Sequence, residues 1–184
     1  MRMIAAALVI LVGSATARGR EVAGATVPDT VRVDERTLVL NGAGVRTRFL
    51  FKVYAMGLYL EHPSTDAGAI LAADEPRRAE LHLLRSLTAD EIADAIGTAF
   101  ERNAGAAMPQ LHDRLERLKS MFPATEPGET IALTYTPGTG TLVTVKGRSA
   151  GTIPGKDFAD ALFAVWIGAN PVDASLKQAL LAGR

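Results

Sequence analysis

The sequence contains no cysteine, and this absence excludes several kinds of chemistry together. Without thiols there can be no disulfide, no cysteine nucleophile and no thiolate-bound zinc or iron–sulfur cluster. A bacterial lipoprotein's lipid-bearing cysteine is excluded for the same reason. An excess of either charge is also missing, since 20 Lys and Arg balance 20 Asp and Glu. A chain with this charge balance lacks the basic surface that is typical of nucleic-acid binding, so we expect no nucleic-acid partner.

The motifs of several well-known active sites and metal sites are missing as well. There is no G-x-S-x-G, Walker or H-E-x-x-H sequence. A dinucleotide fingerprint begins at residues 42–44 but lacks its third glycine. His62, His82 and His112 lie far apart in sequence, which favours surface or structural histidines over metal ligands. We therefore expect neither a metal nor a cofactor.

Long hydrophobic runs are absent except at the start of the chain. Residues 1–3 carry a positive charge, residues 4–12 are apolar, and residues 15–17 (Ala-Thr-Ala) form a small-x-small cleavage site. This pattern is typical of a secretory signal peptide, and the run is shorter than the ~20 residues that span a bilayer. We predict a cleaved signal peptide at residues 1–17 and a periplasmic protein without a transmembrane segment. Residues 23–25 offer a second possible cleavage site.

The remaining residues, 18–184, have a length that suits one domain, because domains usually contain ~100–200 residues. Strand patterns come first, helices next, then a hairpin and further helices, an order that favours an α+β fold with helices on one face of an antiparallel sheet. The predicted strands and turns are strands at 30–33 and 37–40, a turn at 41–44, strands at 45–60 and 79–84, and a hairpin at 130–145 with its turn at 137–140. The predicted helices are at 65–73, from 88 to about 103–105, near 111–118, at 156–167, and after 172.

The apolar segment 45–60 is the longest in this part of the chain and is predicted to be a single strand. Arg46 and Tyr54 are eight residues apart, so both would point to the same side of that strand. Beyond Val53 both faces become apolar, which predicts that the strand enters a region covered on both sides. Its charged end is then expected nearer solvent or a cleft.

Two sequence blocks resemble the bacterial chalcone isomerase-like family. The first is Leu-Asn-Gly-Ala-Gly-Val-Arg at residues 40–46, followed by Phe-Lys-Val-Tyr-Ala-Met-Gly-Leu-Tyr-Leu-Glu at 51–61. The second begins with Ile-Pro-Gly-Lys-Asp-Phe at 153–158 and ends with Asn-Pro-Val at 170–172. The resemblance covers about residues 30–183. It implies an open-faced β-sandwich, related to plant chalcone isomerases and fatty-acid-binding proteins, with ligands held between sheet and helices.

The resemblance also implies roles for individual residues. Arg46 matches the plant arginine that polarises the ligand, and Tyr54 stands at the place of a strand threonine that orders a water. The plant helix tyrosine and asparagine that contact the ligand fall on Ile92 and Ala99, neither of which has a side-chain hydrogen-bond donor. These replacements argue against chalcone cyclisation. In fatty-acid-binding relatives an arginine and a tyrosine hold the carboxylate, and Arg46 with Tyr54 is similar to that pair.

The first functional hypothesis is therefore a non-catalytic binder of a small amphiphilic carboxylate such as a fatty acid. Arg46 and Tyr54 would hold its head group, while Met56, Ile92 and Ala99 would surround its tail. A second hypothesis is an isomerase or intramolecular lyase acting on a chalcone-like or other enone substrate, with Arg46 and Tyr54 as its catalytic residues. A third is an interaction module for another envelope protein.

The same residues also have ordinary structural explanations. Arg46 could be a solvated charge at a strand end, and Tyr54 a core aromatic. Arg48 and Lys52 are expected to be solvated, and Arg85 to pair with a carboxylate at the start of the following helix. Trp166 is expected in the core.

Overall fold

The described part of the protein, residues 19–183 of a computed structural model, is built from strands and helices in an α+β arrangement. The predicted signal peptide at residues 1–17 lies outside the described residues. The strands are β1 (Gly19–Val22), β2 (Ala25–Pro28), β3 (Thr30–Val33), β4 (Arg36–Arg48), β5 (Phe51–Leu60), β6 (Arg77–Leu83), β7 (Thr130–Thr136), β8 (Gly140–Val145) and β9 (Arg148–Ile153). The helices are α1 (Ala67–Ala72), α2 (Ala89–Ala104), α3 (Met108–Lys119), α4 (Lys156–Ile167) and α5 (Ala174–Leu180).

Strands β3 to β9 form one sheet in which neighbours along the chain are neighbours in space, and every pairing is antiparallel. Strands β1 and β2 form a separate hairpin. Helices α2 and α3 are inserted between β6 and β7, and α2 packs against both α3 and α4. The predicted antiparallel sheet with a helical layer on one face is confirmed.

Two hydrophobic cores lie on opposite faces of the sheet. The larger one, between sheet and helices, contains Met56 and Leu58 of β5 together with Phe100 and Phe158 of the helices. The smaller one lies under the β1–β2 hairpin and includes Tyr59. Strand β5 is therefore buried on both sides from Val53 onward, as its apolar pattern predicts.

The chain reverses in the middle of the segment that was predicted to be one strand, and that prediction is wrong. Strand β4 ends at Arg48, the turn consists of Phe49 and Leu50, and β5 begins at Phe51. Phe49 has a φ of 55°, a left-handed conformation that glycine or asparagine usually adopts in such turns. The turn contains neither glycine nor proline, so its sequence resembles that of a strand. The local sequence pattern therefore does not predict it.

The prediction of a turn at residues 41–44 is also wrong, because these residues lie inside β4. There, Gly42 and Gly44 allow α5 to approach, since a Cβ at Gly42 would lie 2.3 Å from the backbone oxygen of Ala179. Asn41 is fully buried at a bulge, and its amide nitrogen donates to the backbone oxygens of Leu180 and Ser64 at 2.8 and 2.9 Å. These residues serve packing between β4 and α5, which explains why their turn-like composition is misleading.

The helix boundaries follow the local sequence closely. Thr88 and Glu91 form the predicted capping box at the start of α2, and the helix gives way to Gly105, which has a φ of +51°. Helix α4 occupies the predicted residues, and α5 begins after an Asp173 cap. Among residues 19–183, no helix combines the length and the apolar character needed to cross a membrane.

Candidate functional site

A cavity of about 550 Å³ lies between the sheet and α2. One wall of the cavity is formed by strands β5, β6 and β7. The rest of the cavity is lined mainly by the end of β4, helix α2 and the C-terminal part of α4. Apolar side chains line its interior: Val53, Leu81, Leu83, Ile92, Ile96, Phe122, Ile131, Leu133 and Val165. Its size and apolar wall are within the range of small-molecule pockets.

Arg46 and Tyr54 meet at this cavity because they are directly opposite one another on β4 and β5. Side chains of directly opposed antiparallel residues share one face of the sheet. The guanidinium carbon of Arg46 lies 5.8 Å from the centre of the Tyr54 ring, within cation–π range. The predicted shared side is therefore correct, although the cause is cross-strand pairing rather than spacing along one strand.

A β-bulge beside this pair adds a second wall residue. Arg46 opposes Tyr54, but the next residue, Thr47, opposes Lys52, so Val53 is the extra residue on β5. Val53 and Tyr54 both line the cavity as a result. Bulges commonly redirect side chains in this way near functional sites.

The Tyr54 hydroxyl has a defined hydrogen-bond role. The indole nitrogen of Trp166 donates to its oxygen at 2.8 Å in a buried environment. Burial raises the pKa of Tyr54, an effect that the nearby charge of Arg46 partly opposes. The phenol therefore stays protonated near neutral pH, and because its oxygen already accepts from Trp166, its own proton is available to a ligand acceptor.

Charged side chains surround the opening of the cavity, called here the mouth and formed by Arg48, Arg85, Glu91, Asp94 and Arg102. Each of these residues is exposed. Glu91 accepts a hydrogen bond from the Thr88 backbone N–H, which is the main reason that its pKa is lowered. Glu91 is therefore a carboxylate at neutral pH. With the half-buried Arg46, the lining carries four guanidinium groups against two carboxylates, a balance that favours anions.

The predicted site residues divide into two groups. Arg46, Tyr54 and Ile92 line the cavity. Met56 and Ala99 do not line it, and both are fully buried in the core between sheet and helices. Met56 was assigned to the ligand tail because residues 45–60 were placed in one strand, and Ala99 because of a position-by-position match on α2. In the folded protein both side chains pack in the core instead.

Three lining residues were given only structural roles from sequence. Trp166 is buried as expected, but it also lines the cavity and orients Tyr54. Arg48 is solvated as expected and also lies at the mouth. Arg85 makes the expected contact with a helix-start carboxylate, at 4.0 Å from Glu91, and lines the mouth as well. No local pattern distinguishes these residues, since each depends on contacts between distant parts of the chain.

Comparison with known proteins supports the fold. A family model described as chalcone isomerase-like matches residues 19–182. The crystal structure of a fatty-acid binding protein from Arabidopsis thaliana superposes with a TM-score of 0.68 at 19% identity, covering 86% of this chain and 92% of that chain. At this identity the likeness establishes a shared fold. No curated protein matches the chain.

Proposed function

We propose that this chain, which belongs to the chalcone isomerase-like family, is a non-catalytic binder of a small amphiphilic carboxylate such as a fatty acid. One observation carries the proposal: Arg46 and Tyr54 are paired across two strands and both line a cavity whose other buried lining residues are hydrophobic. The structural likeness to a fatty-acid binding protein is consistent with it.

The chemistry of the cavity suits the two parts of such a ligand. The Arg46 guanidinium supplies charge-assisted hydrogen bonds to a carboxylate, and the protonated Tyr54 hydroxyl supplies another. Arg48 and Arg85 at the mouth raise the local concentration of anions. The hydrocarbon chain would contact the side chains of β6, β7 and α2, where its removal from water is the main favourable contribution.

Binding without catalysis is favoured by the side chain at position 92. Ile92 presents hydrocarbon to the cavity, at the helix position where the resemblance to plant enzymes would place a tyrosine. An apolar group there suits a ligand tail and cannot hydrogen-bond a polar aromatic substrate. Isomerisation of an enone, with Arg46 and Tyr54 as the polarising groups, is the alternative that the experiment below also tests.

Export to the periplasm is part of the same proposal. It rests on the charged start, apolar run and Ala-Thr-Ala site within residues 1–17. Cleavage after Ala17 would leave Arg18 as the first residue, immediately before β1. Recovering the protein from the periplasmic fraction and measuring its intact mass tests both compartment and cleavage site.

The test of ligand binding is native mass spectrometry, with lipid extraction, on that periplasmic protein. We expect the wild type to retain an acyl carboxylate and Arg46→Ala to retain at least tenfold less of it. The reason is that a hydrogen bond to a charged group contributes about 1.5–3 kcal/mol. Arg32→Ala is the matched control, since Arg32 is an exposed arginine of β3 outside the cavity.

Two results would contradict the proposal. Equal lipid content in wild type and Arg46→Ala would remove the head-group role of Arg46. A protein that carries no lipid but accelerates cyclisation of chalcones would favour the isomerase instead.

A further inference from the structure

The turn between β4 and β5 exposes three large hydrophobic side chains in succession. Phe49 is 86% exposed, Leu50 93% and Phe51 65%. Within residues 19–183, no other large hydrophobic side chain is exposed to this degree. Single exposed apolar residues are ordinary, but a contiguous patch at a projecting turn usually marks a contact with another surface.

The backbone of this turn adds a second indication. Phe49 adopts a φ of 55°, a region that costs a bulky residue energy and that glycine adopts freely. The turn thus holds a strained phenylalanine whose ring lies in solvent rather than in the core. The same left-handed φ occurs at Ala23, Asp34 and Lys146, so it marks a tight turn. What distinguishes Phe49 is that the centre of its ring lies 5.8 Å from the Arg48 guanidinium carbon and not in the core.

Positive charge flanks the three side chains. Residues 46–52 include Arg46, Arg48 and Lys52 and contain no acidic residue. Two acidic residues near the turn have partners within the fold, since Asp173 accepts the Thr47 backbone N–H at 3.3 Å and Glu91 caps α2. Apolar side chains with adjacent cations form the pattern that binds at the interface of an anionic membrane.

We propose that residues 48–52, called here the hairpin tip, insert Phe49, Leu50 and Phe51 into the interfacial region of an anionic lipid bilayer. Arg48 and Lys52 then lie at the level of the phosphate groups. Aromatic rings and long cationic side chains are both favoured at this depth. The inference concerns a surface that shares only Arg48 with the mouth of the cavity, and it stands whether or not the cavity holds a fatty acid.

The shape of the hairpin tip favours a bilayer over a protein partner. A two-residue turn is narrow and convex, whereas stable protein interfaces usually bury about 800 Å² on each partner. A bilayer surrounds a projecting tip without needing a complementary groove. Arg48 belongs both to the hairpin tip and to the mouth of the cavity, so docking in this way orients the mouth toward the membrane.

Flotation with lipid vesicles tests the proposal. We expect the wild type to float with phosphatidylglycerol-containing vesicles, and the triple variant Phe49→Ser/Leu50→Ser/Phe51→Ser to bind at least tenfold more weakly. Arg48→Gln/Lys52→Gln should lose roughly fivefold per charge on these vesicles and little on pure phosphatidylcholine. Arg32→Gln, which removes an exposed charge from β3, is the matched control and should bind as the wild type does.

A conservative variant separates insertion from general adhesion. Leu50→Trp keeps an apolar tip, so it should still float, and its emission should shift to the blue when vesicles are added. The one native tryptophan, Trp166, is buried and lines the cavity, so the wild type measured with the same vesicles supplies the background to subtract. All proteins compared share the same N-terminus, so any contribution from residues before β1 is common to them.

Three results would overturn the proposal. The first is failure of the wild type to float with anionic vesicles, and the second is equal flotation of the triple serine variant. The third is self-association of the wild type through these side chains in sedimentation while vesicles leave it in solution. That result would assign the hairpin tip to contact between copies of the chain.

Discussion

Tyr54 shows how neighbouring residues determine the environment of one side chain. Alone, a tyrosine on an apolar strand is expected in a core. Here it is buried, but Trp166 donates a hydrogen bond to its hydroxyl oxygen and the Arg46 guanidinium lies within cation–π range of its ring. The hydroxyl proton is thereby left for a ligand, and burial keeps the phenol neutral by raising its pKa.

We predict that Tyr54→Phe weakens binding of a fatty acid about tenfold and leaves binding of the alcohol of equal chain length nearly unchanged. The lost hydrogen bond acts on a charged carboxylate, for which it is strongest. Calorimetric titration of both ligands measures the difference. A parallel thermal melt is needed because the variant leaves the buried Trp166 N–H without its partner. Equal loss for acid and alcohol would mean that Tyr54 acts by shape alone.

At the scale of elements, the contact between β4 and α5 positions the arginine end of the site. Gly42 and Gly44 let the helix lie against the strand, and Asn41 ties the strand to the helix end. Asp173, the N-cap of α5, also accepts a hydrogen bond from Thr47 beside Arg46. The end of β4 is therefore held by the last helix of the chain.

Gly42→Ala should lower the free energy of unfolding by about 3 kcal/mol. The new methyl group would lie 2.3 Å from one α5 backbone oxygen and 2.5 Å from another, so the helix must move. Gly97→Ala is the matched control within α2, where the nearest atom is a flexible Lys119 carbon at 3.5 Å. That change should raise stability by about 0.5–1 kcal/mol through helix propensity. Urea unfolding measures both, and a neutral Gly42→Ala would contradict the close contact.

At the scale of the whole molecule, all three tyrosines are buried and favour their neutral forms. Burial is the main cause at Tyr54, Tyr59 and Tyr135, and it raises the pKa of Tyr135 to about 12. A hydrogen bond donated to Asp74 contributes at Tyr135. Each phenol therefore holds its proton to higher pH in the folded protein than in the unfolded chain.

This difference predicts a loss of stability in alkaline solution. Because the folded pKa is raised, the stabilisation is complete below the unfolded value near 10 and declines as pH increases above it. Each phenol contributes up to about 1.4 kcal/mol per pH unit to the slope. Urea unfolding at pH 8, 9, 10 and 11 should give nearly constant values up to 9 and a steep fall beyond 10. Tyr135→Phe should reduce that slope, and an unchanged stability at pH 11 would contradict the prediction.

Much of the architecture was predictable because its causes are local. The capping box at Thr88, the bounds of α4 and the β7–β8 hairpin follow from residues a few positions apart, and their order predicts the α+β class. Arg46 and Tyr54 could be proposed as a pair by resemblance and alternation. The reversal at Phe49 and Leu50 could not, because neither residue carries the usual chemistry of a turn.

The sequence by itself determined the α+β class and most of the helices and strands, and the family resemblance pointed to three residues that line the cavity: Arg46, Tyr54 and Ile92. Only the tertiary structure decided that Trp166 holds the Tyr54 hydroxyl, that Met56 and Ala99 face the core, and that three hydrophobic side chains project beside the mouth. The reason is that periodicity and capping depend on neighbouring residues. The cavity arises instead where segments more than a hundred residues apart pack together, as Tyr54 and Trp166 do. The exposed tip arises at a reversal whose residues carry no turn signal, so only the fold shows that they project into solvent.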